Sequence, residues 1–192
     1  MATWKIDADH SSIMFSAKYL LLNTINGYFT DFKAEVRTEG EDITDHPLID
    51  FTAEINSVQT NQPQRDEHLL SADFFDAEQY SQISFKSIAM EQVNIIKNPF
   101  PIGPYQKSYH LEGNLTIKGI TRPVTFKVEH QGKVTDQYDR SLSVFTLKGL
   151  LSRRDFGITW GEKTPAGKAI LSDEIRISCS LQFVQMPEAV LS

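Results

Sequence analysis

The sequence predicts an all-β, single-domain fold whose antiparallel sheet closes into a barrel. Three observations carry this reading. Apolar residues recur with a period of two along most of the 192-residue chain, the mark of strands with one face on a core and one in water. Two of these stretches change phase part-way, as strands bent by bulges do when a sheet closes. Only one region, beginning near Asn61, carries helix signals.

Taken in order, Ile13, Phe15, Ala17 and Tyr19 alternate with Met14, Ser16 and Lys18. In 25–37, Gly27 and Phe29 share one parity while Phe32, Ala34 and Val36 take the other, which predicts a bulge near Thr30-Asp31. Ile49, Phe51, Ala53 and Ile55 form the next strand. Asn61 then stands as a cap-like residue before Pro63 and good helix formers up to Leu70. A second short helix is expected over 73–77, capped by Ser71, so that the two form a helical lid over one barrel end.

The segment 98–105 holds three Pro and a Gly and reads as a loop. It is not a domain boundary, because neither half alone has enough strands to hide its edges, and residues 1–192 are read as one domain. Beyond it, Tyr109, Leu111, Gly113, Leu115 and Ile117 alternate with polar residues. A tight turn follows at Lys118-Gly119-Ile120, with Pro123 expected to open the next strand. Gly132 and Gly161 are read as further turns. In 140–151, Leu142 and Val144 oppose Phe145, Leu147, Gly149 and Leu151, which predicts a second bulge near Val144-Phe145. Ile175, Ile177, Cys179, Leu181 and Phe183 form the last strand.

Composition narrows the function. Lys plus Arg number 19 against 25 Asp plus Glu, a net charge of −6, and no dense basic run exists to neutralise nucleic-acid phosphates or an anionic membrane. No stretch approaches the ~20 apolar residues of a transmembrane helix. The N-terminus shows no basic region followed by an apolar one, so no signal peptide is visible; the expectation is a cytoplasmic protein, or a periplasmic one if the chain has been trimmed. Twelve Phe against 2 Trp and 6 Tyr bring apolar area without polar handles, which suits either a solid Phe-rich core or a large dry interior.

Residues with chemical potential are few. The five His, at 10, 46, 68, 110 and 130, show no metal spacing, and the single Cys179 in an alternating run reads as a buried thiol rather than a nucleophile. No metal, cofactor or catalytic residue is therefore assigned. His110 and His130 sit opposite apolar faces and are expected to face solvent. Arg65-Asp66-Glu67-His68 is the densest polar cluster. It reads either as a grip on a polar headgroup at a pocket mouth, by Arg65 and His68, or as an exposed helix face with local ion pairs, Arg65 to Asp66 or Asp155. Arg153-Arg154-Asp155-Phe156-Gly157 divides in the same way.

Several of these segments resemble the YceI-like family. Trp4-Lys5-Ile6-Asp7 with His10-Ser11-Ser12-Ile13-Met14-Phe15 is similar to its opening strand pair. Gly27-Tyr28-Phe29-Thr30-Asp31-Phe32 resembles its Gly-x-Phe-x-x-Phe strand. The most specific match is Ser57-Val58-Gln59-Thr60-Asn61 leading to the run from Arg65 to Asp76, followed by 113–124 and Arg154-Asp155-Phe156-Gly157. The resemblance implies an eight-stranded antiparallel, lipocalin-like β-barrel partly covered by a helix, which binds a polyisoprenoid or another long-chain lipid, with some members homodimeric. Many members carry His where Tyr19 stands and a basic residue where Leu70 stands, which implies a less polar ligand end here. The stretch 98–105 is not part of the usual pattern.

The first functional hypothesis is therefore carriage or storage of a long apolar isoprenoid or fatty-acyl-type lipid. Eight strands leave an interior just wide enough for one slender ligand. The expected lining is Phe15, Phe29, Phe51, Phe85, Phe126, Phe145 and Phe183, with Tyr19, Leu69, Phe74 and Phe156 from the family-like segments and Arg65 and His68 at the mouth. An enzyme acting on an apolar substrate in the same barrel, and a structural or stress protein with a filled interior, are the alternatives. Leu20-Leu21-Leu22, which follows a strand, is a candidate homodimer contact.

Overall fold

The computed structural model describes residues 1–20, 22–96, 106–161, 167 and 170–187. Eleven strands form one sheet: β1 Ala2–Ile6, β2 Ser12–Tyr19, β3 Asn23–Phe29, β4 Phe32–Thr38, β5 Leu48–Glu54, β6 Val58–Gln59, β7 Gln82–Ile96, β8 Gln106–Ile117, β9 Ile120–Thr135, β10 Ser141–Ser152 and β11 Leu171–Gln185. One helix, α1 Pro63–Leu70, joins them. All pairings are antiparallel, in the order β1-β4-β5-β7-β8-β9-β10-β11, and β11 returns to β1, so the sheet closes on eight strands. The expected loop at 98–105 lies outside the described residues.

The remaining strands extend this cylinder because three staves are broken in two. β11 pairs with β10 along one edge, from Leu142↔Val184 to Ser152↔Glu174. Its other edge is shared by β1 at Ile6↔Phe183 and β2 at Ser180↔Ser12. Between them a short 3-10 turn, Ala8–His10, lets the chain step sideways. The ladder is carried across that step by Asp7 N–H to Gln182 O at 2.8 Å and Gln182 N–H to Ser11 Oγ at 2.9 Å. β3 and β4 form the second broken stave, pairing with β2 and β1, and the break falls at Thr30-Asp31, where the parity change placed it. Phe29 and Phe32, on opposite parities, are both buried as a result. β5 and β6 form the third.

The second phase change is also a register shift, between Val144 and Phe145. The extra residue sits in β9: Gly132 pairs with Val144 and His130 with Phe145, leaving Gln131 between them. Gly132, expected at a turn, is thus inside a strand, at φ 142°. Pro123 is likewise inside β9, opposite Asn114, rather than its first residue. Ile117 and Ile120 close the two-residue turn, so by alternation Pro123 directs its nitrogen away from β8. β10 is paired with β9 only as far as Lys127, so no ladder bond is lost there.

Helix α1 starts one residue later than the cap-like Asn61 suggests. Gln62 is the capping residue, and its side chain accepts a bond from Arg65 N–H. Asn61 takes a left-handed conformation, φ 62°, which Asn tolerates. The second helix expected at 73–77 is absent: 71–80 is a series of turns. Phe75 N–H reaches back to Leu69 O and Ala77 N–H to Leu70 O, bonds that fold the segment under α1 and bury Phe74 and Phe75. Lys118 Nζ donates to Ala72 O at 2.7 Å and ties this segment to the β8–β9 turn.

Three inward-facing glycines determine how the interior is filled. A Cβ on Gly27 would lie 2.3 Å from Phe15 Cζ, one on Gly149 2.4 Å from Phe126 Cδ1, and one on Gly113 2.3 Å from Phe85 Cζ. In each case a ring from the neighbouring strand takes the space that a side chain at the glycine would fill. Gly149→Ala meets only the Phe126 ring, so it should destabilise the protein by about 1–3 kcal/mol, the usual cost of overpacking. Phe126→Leu in the same chain should restore part of that loss in urea unfolding. Gly113→Ala should resist rescue by trimming Phe85, because the Lys86 carbonyl also lies 2.5 Å away.

Candidate functional site

The strands enclose two chambers in series. The lower, of about 170 Å³, is bounded entirely by apolar side chains and the thiol of Cys179. The upper, of about 230 Å³, lies under α1 and the 71–80 turns. They share Phe29, Ile83, Ile117, Leu151 and Ile177, which form a waist between them.

Phe51, Phe85, Phe126, Phe145 and Phe183 line the lower chamber, and Phe29 lies at the waist. Phe15, Tyr19, Arg65, His68, Leu69, Phe74 and Phe156 line the upper one. The alternating strands bring the Phe residues inward, and α1 supplies the polar members. Phe126 and Val128 of β9 share an unbroken register with Phe145 and Leu147 of β10, and the extra Gln131 lies beyond them, so the bulge leaves these inward residues in phase.

The lower chamber offers no reactive group. Cys179 shares its face with Ile177 and Leu181, and burial pushes its thiol up to about 11 against a bond from the Met14 backbone. Its lower end is closed by the loop between β4 and β5, which inserts Ile43.

The upper chamber gathers the polar residues. Arg65 donates through Nε to Thr60 Oγ1 and through Nη2 to Thr60 O, both at 2.7 Å. Thr60 also donates to Asp66 Oδ1 from N–H at 2.8 Å and from its hydroxyl. The ion pairs considered for Arg65, with Asp66 or Asp155, are replaced among the described residues by this clasp through Thr60. It ties the first turns of α1 to the end of β6. His68 Nε2 lies 3.0 Å from Asp73 Oδ2, and its ring meets Phe74 and Trp160 edge-on at 5.0 and 5.2 Å.

Sequence reasoning did not single out Thr60, Phe75, Arg153 or Trp160 as lining residues, yet all four border the upper chamber. Arg153 is 5% exposed. It donates from Nε to Ser172 O and from Nη1 to Ile158 O, both at 3.0 Å, and from Nη1 to Trp160 O. Its Nη2 lies 3.1 Å from Asp173 Oδ1. Burial draws its pKa below the ordinary value while Asp173 opposes this. The guanidinium is thus an anchor that gathers three carbonyls and sets Trp160 at the chamber wall. Its position beside Phe156 in the Arg-Arg-Asp-Phe-Gly segment was the available signal.

His130, expected in solvent, is half-buried near the lower end. Its ring stacks on Phe145 at 4.5 Å, and Nε2 lies 2.8 Å from Ser143 Oγ, a residue with 0% exposure. His110 is exposed as expected.

These features match a known family. The YceI-like domain model covers residues 4–183. The chain belongs to the YceI-like family. A UPF0312 protein of Staphylococcus aureus strain N315 is 30% identical over 186 residues, covering 95% of this chain and 98% of the relative. Among solved structures, Burkholderia cenocepacia BcnA superposes with a TM-score of 0.71 at 22% identity, over 92% of this chain and 98% of its own. A polyisoprenoid-binding domain from Saccharophagus degradans, implicated in plant cell wall breakdown, has the same fold at 12% identity, with a TM-score of 0.68 over 95% and 98% of the two chains. This YceI-like barrel thus shares its fold with both solved structures across nearly its whole length.

Desolvation lowers the His130 pKa, against Asp42, which raises it. The unfolded chain therefore binds the proton more readily than the folded one near pH 6.5. Stability from this group is present above that pH and is lost as pH falls toward the depressed folded value. Urea unfolding between pH 7.5 and about 5 should show this loss, and His130→Gln should flatten the profile in that window.

Proposed function

We propose that this YceI-like protein carries or stores one long apolar lipid of the isoprenoid or fatty-acyl type, with its tail in the lower chamber and its polar end in the upper one. The observation that carries this reading is the pair of adjacent chambers that share five wall residues, apolar below and fringed above by Tyr19, Arg65 and His68. Each buried methylene would contribute roughly 0.8 kcal/mol, so a chain threading both chambers gains affinity without any charged contact below the waist. The polyisoprenoid-binding domain of the same fold supports the ligand class.

Carriage is favoured over catalysis by how the polar groups are used. Arg65, His68 and Arg153 each have a partner in the fold, and the lower chamber has only a thiol held protonated. A solid-core structural protein fits less well, because the Phe rings are laid against glycines and space remains beside them.

Solvent extraction of protein purified from its own host, followed by lipid mass spectrometry, should release one long-chain amphiphile in near-stoichiometric amount; a clean protein spectrum at full occupancy of the fold would refute carriage. Arg65→Ala separates two roles. If Arg65 meets an anionic head, affinity should fall by about 1.5–3 kcal/mol, the scale of a charge-assisted hydrogen bond. If it only fastens α1 through Thr60, thermal stability should fall while affinity of the folded protein stays unchanged.

Homodimerisation belongs to the same proposal. Leu22 is 83% exposed, and Leu20 is exposed beside it, both at the β2–β3 hairpin that borders the mouth. Sedimentation should show a concentration-dependent dimer that Leu22→Asp weakens. A monomer at all concentrations would remove the idea.

A further inference from the structure

Only two residues lining the lower chamber come from outside the strands, Ile43 and Pro47, and both belong to the loop between β4 and β5. That loop lies at the end opposite α1: β4 runs from Phe32 down to Thr38 beside Ala2, and β5 climbs from Leu48 back toward α1. Ile43 is 3% exposed, so its side chain is enclosed in the barrel although its backbone is in a connection.

The loop is fastened on every side. Thr38 Oγ1 donates to Gly40 O at 2.7 Å and to Ala2 O at 3.3 Å. On the far side of Ile43, the Asp42 carboxylate accepts from Thr44 N–H at 2.9 Å and Thr44 Oγ1 at 2.8 Å. Asp45 N–H returns to Asp42 O at 3.0 Å, and Glu39 N–H reaches Asp45 O. Burial raises the Asp42 pKa, but the Thr44 bonds, Lys107 and His130 outweigh it and hold the carboxyl below its ordinary value. The residue before Ile43 is thus a fixed anion rather than a loose tip, and Ile43 is held in place from both sides.

We infer that Ile43 is the end stop of the lower chamber and sets the length of hydrocarbon chain the barrel accepts. The inference rests on the proposed lipid carriage and deepens it. A chain shorter than the chambers leaves a dry void against Ile43, and such voids are unfavourable because their walls lose contacts. A longer chain meets a fixed side chain and leaves apolar carbons above the mouth, in water. Affinity should therefore peak at one length, and the size of residue 43 should move the peak.

The test uses a series of linear isoprenoid alcohols differing by one isoprene unit, competing with an anilinonaphthalene sulfonate dye in the intact protein. Ile43→Ala should shift the optimum to a longer alcohol and tighten binding of the first previously excluded length by about tenfold. Ile43→Phe should shift it to a shorter one. Ile43→Val, which removes a single carbon, gives a smaller shift in the Ala direction and serves if the Ala variant does not fold. Opposite shifts from small and large residues support the end stop, because destabilisation alone would weaken all lengths together. An unchanged optimum in the folded variants overturns the end stop and leaves carriage standing. No displacement from the unsubstituted protein by any of these alcohols, or by a parallel series of saturated fatty acids, overturns both.

Discussion

The open interior depends on one steric arrangement: aromatic rings laid over positions that have no side chain. A Phe on the inner face of a small barrel would ordinarily reach the axis and fill it. Gly27, Gly113 and Gly149 give Phe15, Phe85 and Phe126 room against the adjoining strand, where each ring comes within 2.4 Å of the point a Cβ would occupy. The rings still lose their water, each worth roughly 1.5–3 kcal/mol, so the contacts that shape the chamber wall also contribute stability.

The two ends of the cylinder are built differently. At the upper end, the polar clasp of Thr60, Arg65 and Asp66 holds the only α-helix among the described residues. The lower end is closed by a loop whose apolar tip points inward and whose polar atoms bond to one another. The result is a gradient from polar mouth to dry floor, with a waist at Phe29 and Ile177 between them. A slender amphiphile has the matching gradient.

Much of this was legible because strand parity is a strict code. The parity changes at Thr30-Asp31 and Val144-Phe145 revealed breaks in pairing, and the inward Phe residues followed from the same count. Pro63 and the polar residues after it marked α1. What escaped lies mostly where no period operates. Ser71 as a cap predicts a helix over 73–77, yet backbone bonds to Leu69 and Leu70 draw the chain into turns instead. His130 has the same parity as the inward Phe126 and Val128 and pairs opposite Phe145 before the bulge at Gln131 begins, so strand alternation itself points its ring inward, against the solvent expectation. Ile43, Arg153 and Trp160 reach the chambers from connections, where neighbours in sequence say little about direction.

The meeting of β1 with β11 has a consequence for how the molecule comes into being. Trp4 faces Gln185, so the cylinder is sealed by strands from opposite ends of the chain. Such closure requires nearly every intervening residue to be ordered first, and folds dominated by distant pairings form slowly. During synthesis on the ribosome, the apolar inner wall lacks its closing partner until β11 emerges. The nascent barrel is then an open sheet with an exposed apolar face, and a chaperone that shields this face would keep it from aggregating before closure.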